Sequence, residues 1–203
     1  MVSHSDLDHV GGALTLLAAL PVDRVSSSLG EGHRVVKAAK QHTRCSSGQR
    51  WEWDGVLFEM LQPTTASYQD AGLKANARSC TLRVSAQGRA ILLAADIEAA
   101  QEAALVSASP ALLRADVLLA PHHGSGTSST PAFLDAVKPL ISVFQVGHRN
   151  RYKHPKKEVF ERYGDLNIQR LRTDESGAIT FDFGSAIGVH EYRRAYPRYW
   201  YEP

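Results

Sequence analysis

His4, Asp6, Asp8 and His9 lie together in the stretch Ser3-His4-Ser5-Asp6-Leu7-Asp8-His9-Val10-Gly11-Gly12, which packs two imidazoles and two carboxylates into six positions. Neutral imidazole nitrogen and carboxylate oxygen suit Zn²⁺, Mn²⁺ and similar divalent cations, and such a set can begin a site for two ions that act as Lewis acids and lower the pKa of water. In an extended loop residues i, i+2 and i+4 point the same way, so His4 and Asp6 are expected to face one ion and Asp8 and His9 a second. The bland alternative is a polar loop capping a helix that starts near Gly12, with Asp8 or Ser5 as N-cap. A cap needs one such residue rather than four.

Two further places along the chain carry chemistry of the same kind. Asp96 ends the apolar run Leu92-Leu93-Ala94-Ala95, where an ionised carboxylate is costly unless a cation compensates it. It is expected to bridge the two ions, the alternative being a cap for a helix over 97–106. Pro121-His122-His123-Gly124-Ser125 follows an apolar run at 116–120, at the strand end where α/β sheets bind ligands. Adjacent side chains diverge, so one imidazole is expected to ligate: His122, with His123 left as a substrate contact. The loop 124–129, Ser125 included, is expected to bring backbone amides to an anionic group, although a plain flexible loop fits the same residues. Arg149, Arg151, Lys153, Lys156 and Lys157 cluster around His148 and His154, a basic rim suited to phosphate, with solvated surface as the alternative. Arg151 and Lys153 are the candidate phosphate contacts, and Asp8 and Asp96 the candidate catalytic carboxylates.

His4-x-Asp6-x-Asp8-His9-x-Gly11-Gly12 resembles the first signature of the metallo-β-lactamase superfamily, in the variant where the usual second His is Asp. Asn76-Ala77-Arg78-Ser79, Leu92-Leu93-Ala94-Ala95-Asp96, Pro121-His122-His123-Gly124-Ser125 and Asn150-Arg151-Tyr152-Lys153-His154-Pro155 follow in order. Together they resemble the C-terminal hydrolase domain of the ComEC-type DNA-uptake proteins of bacterial competence, over nearly the whole chain.

The resemblance implies an αββα sandwich, two divalent ions (Mn²⁺ or Zn²⁺), and hydrolysis of phosphodiesters with DNA as substrate. It also implies a membrane channel portion in the same protein and a place on the outer face of the inner membrane. His154 then stands where the superfamily's last His ligand arrives, with His148 as competitor and an exposed turn before Pro155 as the alternative. Asn76 stands where many members carry a metal-binding His, and its amide suits a water or a phosphate oxygen. Ala95 departs from the usual Gly before the Asp. Asp6 in place of a His makes its position richer in oxygen, which tilts the choice toward Mn²⁺. Such folds normally place a strand hairpin ahead of the first motif, whereas His4 follows only Met1-Val2-Ser3. A fragment lacking the first strands is therefore expected. Two other functions fit the same residues: hydrolysis of a lactone or thioester, and a non-catalytic DNA-binding remnant.

The elements that must position these groups read as a layered α/β fold. With 203 residues, 43% of them apolar, the chain is long enough for one substantial core, and 1–203 reads as a single domain. No apolar run reaches the roughly 18 residues of a membrane span, and no charged-then-apolar leader opens the chain. The net charge of +2, from 23 basic and 21 acidic residues, says little about partners. Helices are expected at 13–20, ended by Pro21, and at 35–41, 97–106, 131–137 and 156–163. Strands are expected to begin at 22–25 and to run over 51–53, 56–61, 80–85, 89–94, 116–120, 140–146 and 168–172. A terminal hairpin over 178–183 and 187–192 completes the set. Asp54-Gly55 is a strong hairpin turn. Trp51 and Trp53 read as sheet packing, His33 and His42 as surface residues, His190 as structural, and the aromatic tail 196–203 as a cover for exposed sheet. Cys45 and Cys80 lack the paired spacing of a zinc ribbon, leaving two buried thiols or one disulfide open. Two buried thiols are the default, and the location implied by the resemblance raises the disulfide to equal standing with them.

Overall fold

The structure is a computed structural model and describes residues 1–200; the end of the aromatic tail, Tyr201, Glu202 and Pro203, lies outside the described residues. The chain opens with the helical turn α1 (Leu7–Val10) and helix α2 (Ala13–Ala19), followed by strand β1 (Val25–Ser27), α3 (Arg34–Ala38) and β2 (His42–Arg44). Leu20 turns extended ahead of Pro21, whose ring disfavours helix in the preceding residue. Val10, Val25, Leu29 and Val35 form the buried centre of this lobe, and β1 pairs with β2 in parallel. Val2 adds a parallel bridge to Ser27.

Four antiparallel strands come next: β3 (Arg50–Trp53), β4 (Val56–Gln62), β5 (Thr81–Ala86) and β6 (Arg89–Leu93). The two-residue turns Asp54-Gly55 and Gln87-Gly88 have positive φ throughout (51°, 76°, 50° and 76°), as tight hairpins require. Helices α4 (Ala99–Ala108), α5 (Pro110–Leu113), α6 (Pro131–Val137) and α7 (Lys157–Asp165) then alternate with β7 (Val117–Leu119), β8 (Ile141–Phe144) and β9 (Gln169–Arg172). These strands extend the sheet in parallel to seven, in the order β3-β4-β5-β6-β7-β8-β9. The short helix α8 (Thr173–Ser176), the hairpin β10 (Ile179–Phe183) and β11 (Ile187–Glu191), and the turn α9 (Tyr192–Ala195) close the described chain.

Alternation along the strands divides the core into two faces. Leu61, Ala90, Leu92, Leu118 and Phe144 pack under the helices with Leu105, Phe133, Val137 and Tyr163. On the opposite face Met60 and Leu82 meet Cys45 and Cys80, while Val117, Ile141, Val143 and Leu171 lie beneath the β10–β11 hairpin. Helices, large sheet and strand ribbons thus form the layered α/β arrangement expected. Cys45 and Cys80 are joined in a disulfide that ties the segment after β2 to the start of β5. Trp51 stacks on Phe58 with ring centres 5.1 Å apart, as sheet packing requires, whereas Trp53 is exposed. His42 is more than a surface residue, since its Nε2 lies 2.8 Å from the Oγ of the buried Ser27. Among the described residues no helix is long and apolar enough to cross a membrane.

Candidate metal centre

The capping alternatives fail on geometry. The N-cap position of α1 falls on Asp6 and that of α2 on Gly12, and neither makes a side-chain cap bond. Helix α4 starts at Ala99 with Glu98 as its cap, reciprocated by Gln101, so Asp96 is not a cap either. What separates the first four residues is also not the extended loop expected. The N–H groups of His9 and Val10 both donate to Asp6 O, at 3.0 and 2.9 Å, so Asp8 and His9 ride a helical turn rather than extended chain.

The remaining groups arrive at the ends of two parallel strands. After β6 the chain turns through Ala95, at φ 52°, and places Asp96 in the interior with 3% of its surface exposed. A left-handed conformation at this position is one that Gly adopts without cost, which accounts for the usual residue there. After β7, His122 (φ 47°) and His123 (φ 55°) are both left-handed, and His122 N donates to Ala95 O at 2.9 Å. This kink turns the ring of His123, expected to contact substrate, to the same carboxylate as that of His122. Adjacent side chains diverge on extended chain, but here both rings turn to Asp96.

Asp96 divides the centre in two. Its Oδ1 lies 3.2 Å from His9 Nε2 and 3.5 Å from His123 Nε2; its Oδ2 lies 3.8 Å from both His4 Nε2 and His122 Nε2. Asp8 Oδ2 adds contacts of 3.3 Å to His123 and 3.7 Å to His9, and Asp6 Oδ2 stands 3.6 Å from His4. Asp8, His9, Asp96 and His123 each offer an atom within 4.8 Å of the others. His4, Asp6 and His122 gather more loosely at the other carboxylate oxygen. Each side of Asp96 therefore meets the same donor set, two imidazoles and one further Asp.

These residues fit a divalent ion. Ligands held about 2.1 Å from a tetrahedral ion lie about 3.4 Å from one another, the range of the contacts above. His4 Nε2 is buried without a hydrogen-bond partner, a condition that proteins rarely tolerate at an atom with no ligand to meet. Burial, then the neighbouring His9, holds the His4 imidazole below its ordinary pKa, in the neutral form that ligates. Burial pushes the Asp96 carboxyl up, but hydrogen bonds from His123 and His9 outweigh it and hold the group well below the usual carboxylate range. His123 is lowered by burial and raised further by Asp96 and Asp8, ending above its ordinary value.

The far side of each ring is also held, which fixes which nitrogen faces inward. His123 Nδ1 meets Gln145 O at 2.8 Å, and Ser3 Oγ lies 3.1 Å from His4 Nδ1 and 3.0 Å from His9 Nδ1. His122 Nδ1 lies 3.4 Å from Glu98 Oε1 and 3.3 Å from Thr127 Oγ1, which itself donates to Glu98 at 2.7 Å. Ser79 Oγ accepts from Asp96 N at 3.3 Å and lies 3.4 Å from His4 Nδ1. Sequence reasoning assigned no role to Ser3, Ser79, Glu98, Thr127 or Gln145. Only the adjacency of Ser3 to His4 and of Glu98 to Asp96 hinted at them.

Other expected contacts are placed differently. His154 lies beside the centre, its ring 5.9 Å from that of His122, and is not among the four groups that converge on Oδ1. Its Nδ1 is buried and unpartnered, and burial with the neighbouring His122 lowers its pKa. Asn76 reaches the centre, its Nδ2 being 3.4 Å from His122 Nε2. Ser125 does not present itself to a ligand: it is buried, with its Oγ 3.1 Å from Thr127 Oγ1. The amides of the following loop already have an anion, because Ser129 N and Thr130 N donate to the buried carboxylate of Glu102. Gly124, at φ 80°, is demanded by packing, since a Cβ there would fall 2.7 Å from Pro155 and 2.8 Å from Phe144. Arg151 is exposed and occupied with Tyr152, donating to its hydroxyl at 2.6 Å, and Lys153 is exposed on the same loop. A groove of about 540 Å³ opens beside the centre, lined by Asp8, His9, His123, Asn150, Tyr152 and His154 among others.

No family model matches the chain. Competence protein ComA of Neisseria gonorrhoeae is 38% identical to it over 201 residues, covering 98% of this chain and 27% of that protein. ComE operon protein 3 of Bacillus subtilis (strain 168) is 28% identical over 208 residues, covering 98% of this chain and 26% of that protein. The chain thus spans about a quarter of the length of these relatives. Among solved structures, CmlA, a diiron β-hydroxylase from Streptomyces venezuelae, superposes with a TM-score of 0.56 at 12% identity, covering 84% of this chain and 42% of that one. That likeness concerns the fold alone. Over nearly its whole length the chain is thus similar to one part of these ComEC-type competence proteins, and its fold is metallo-β-lactamase-like α/β.

Proposed function

We propose that this domain is a two-metal phosphodiesterase acting on DNA during competence uptake, with Mn²⁺ or Zn²⁺ as its ions. The observation that carries the reading is the single buried carboxylate of Asp96, which turns one oxygen to His9 and His123 and the other to His4 and His122. His4, Asp6 and His122 would hold one ion and Asp8, His9 and His123 the other, with Asp96 shared and His154 at the edge. Divalent ions bound there would supply Lewis acidity and lower the pKa of water beside the phosphodiester.

The chain's own residues would supply the rest. Asp8 lines the groove and would orient the attacking water through the carboxylate oxygen not turned to His9 and His123. Asn76, His154, Arg151 and Lys153 would meet phosphate oxygens, the last two by moving their exposed head groups. In the whole protein a membrane channel portion would accompany the domain on the outer face of the inner membrane. The disulfide supports that placement, since such bonds persist outside the reducing cytoplasm.

The test is reconstitution of the chain with Mn²⁺ or Zn²⁺, followed by assay on single- and double-stranded DNA, on a lactone and on a thioester. Metal-dependent DNA cleavage that Asp96→Ala abolishes supports the proposal. Turnover of the lactone or thioester alone would transfer the centre to a carboxylic substrate, and metal-independent DNA binding without cleavage would leave a binding remnant.

A further inference from the structure

We propose that Ser3 is a shared positioning residue whose one hydroxyl fixes the orientation and tautomer of an imidazole on each side of Asp96, linking the two metal positions. The inference rests on the metal-centre reading above and adds a residue that touches neither ion. Ser3 Oγ lies 3.1 Å from His4 Nδ1 and 3.0 Å from His9 Nδ1, and the two rings are 4.1 Å apart between centroids. A serine hydroxyl has two acceptor lone pairs and one proton. A histidine that ligates through Nε2 carries its proton on Nδ1, so in the loaded centre both rings donate and both lone pairs of Ser3 are used. Were both Nδ1 atoms bare, the single hydroxyl proton could satisfy only one of them. The hydroxyl therefore matches the state in which both Nε2 atoms are free to ligate, and His4 Nε2 is the buried atom left without a partner.

Ser3 can hold two rings because it is itself held. Its carbonyl accepts from Ser28 Oγ at 2.7 Å, on the amino-terminal lobe, and from Cys80 N at 3.0 Å, at the start of β5. The two imidazoles depend on it unequally. His4 Nδ1 has Ser79 Oγ at 3.4 Å as a second neighbour, whereas Ser3 is the only hydrogen-bond partner of His9 Nδ1 among the described residues. Glu98 offers a contrast within the same centre, since it supports His122 alone.

The test is a Co²⁺ titration followed by ligand-field absorption on the wild-type chain and on Ser3→Ala, Ser3→Thr and Glu98→Gln, with melting in chelator as a check on folding. Ser3→Ala should weaken both binding steps, by about 10- to 100-fold at the step more affected, as losses of such orienting contacts do. Ser3→Thr, which keeps the hydroxyl, should recover most of the affinity, and Glu98→Gln should weaken one step only. Independently of any variant, nitrogen NMR of the Zn²⁺-loaded wild type should find His4 and His9 both protonated at Nδ1. Wild-type affinity at both steps in Ser3→Ala, a loss confined to one step, or an Nε2–H tautomer at either ring overturns the proposal. A wild-type chain that takes up no Co²⁺ overturns the metal centre itself, and is recognised because it appears before any substitution is made.

Discussion

Asp96 Oδ1 stands 3.2 Å from His9 Nε2, although 87 positions separate the two residues in sequence, one on a helical turn and one past the end of a strand. With its other oxygen facing His4 and His122, Asp96 is the one carboxylate among the described residues that meets both halves of the centre. Asp96→Ala is accordingly expected to lose both ions and to lower activity by at least about 100-fold. Its stability in chelator should fall, because His9 and His123 lose the carboxylate that accepts their hydrogen bonds. Metal content by mass spectrometry and a thermal melt check both parts. Two retained equivalents of metal would contradict the bridging role.

His123 and His154 invite opposite outcomes. His123 belongs to the set whose ligand atoms lie within 4.8 Å of one another, whereas His154 stands beside His122 and lines the groove. His123→Ala should therefore cost one equivalent of metal. His154→Ala should keep both and raise KM for DNA several-fold. Equilibrium dialysis and steady-state kinetics separate the two cases, and loss of metal in His154→Ala would restore that residue as a ligand.

The disulfide should matter to stability in proportion to the loop it closes. Cys45 and Cys80 are 35 residues apart, for which loop-closure entropy gives about 4 kcal/mol. The bond joins the segment following β2 to the residue whose N–H holds Ser3, so its removal should also loosen His4. Urea melts of the oxidised chain and of the Cys45→Ser/Cys80→Ser form are expected to differ by about 2–4 kcal/mol, with weaker metal binding in the double variant. Equal midpoints would dismiss the bond as a structural tie.

Tyr68 supplies a dependence on pH away from the metal centre. Its hydroxyl donates to Cys45 O at 2.7 Å, and burial pushes the phenol up to about 12 from 10.0. Above pH 10 the unfolded chain releases this proton before the folded one does. Tyr68 thus contributes a stability that is complete below that pH and falls as pH rises toward 12. Tyr68→Phe should be less stable at neutral pH and should lose the part of the alkaline decline that Tyr68 causes. Denaturation midpoints at graded alkaline pH measure it, and an unchanged slope in the variant would refute the assignment.

The sequence by itself located most of the strands and longer helices, though not β2 or the short α1, α5, α8 and α9, and named most of the groups that meet at the centre. Alternating apolar residues, the Asp54-Gly55 turn and the stop at Pro21 act within a few residues, so local pattern suffices to locate them. His4, Asp6, Asp8, His9, Asp96 and His122 were legible because so many metal-binding side chains in so little chain, or at the end of apolar strands, have few other uses. Only the tertiary structure decided that His123 joins them, because its direction depends on two consecutive left-handed residues pinned to the Ala95 carbonyl. It also decided that Ser125 turns inward, that the loop amides serve Glu102, and that Ser3, Glu98 and Thr127 hold the imidazoles from behind. Those are contacts between segments distant in sequence, set by which strand ends the parallel sheet brings side by side, and no local spacing records them.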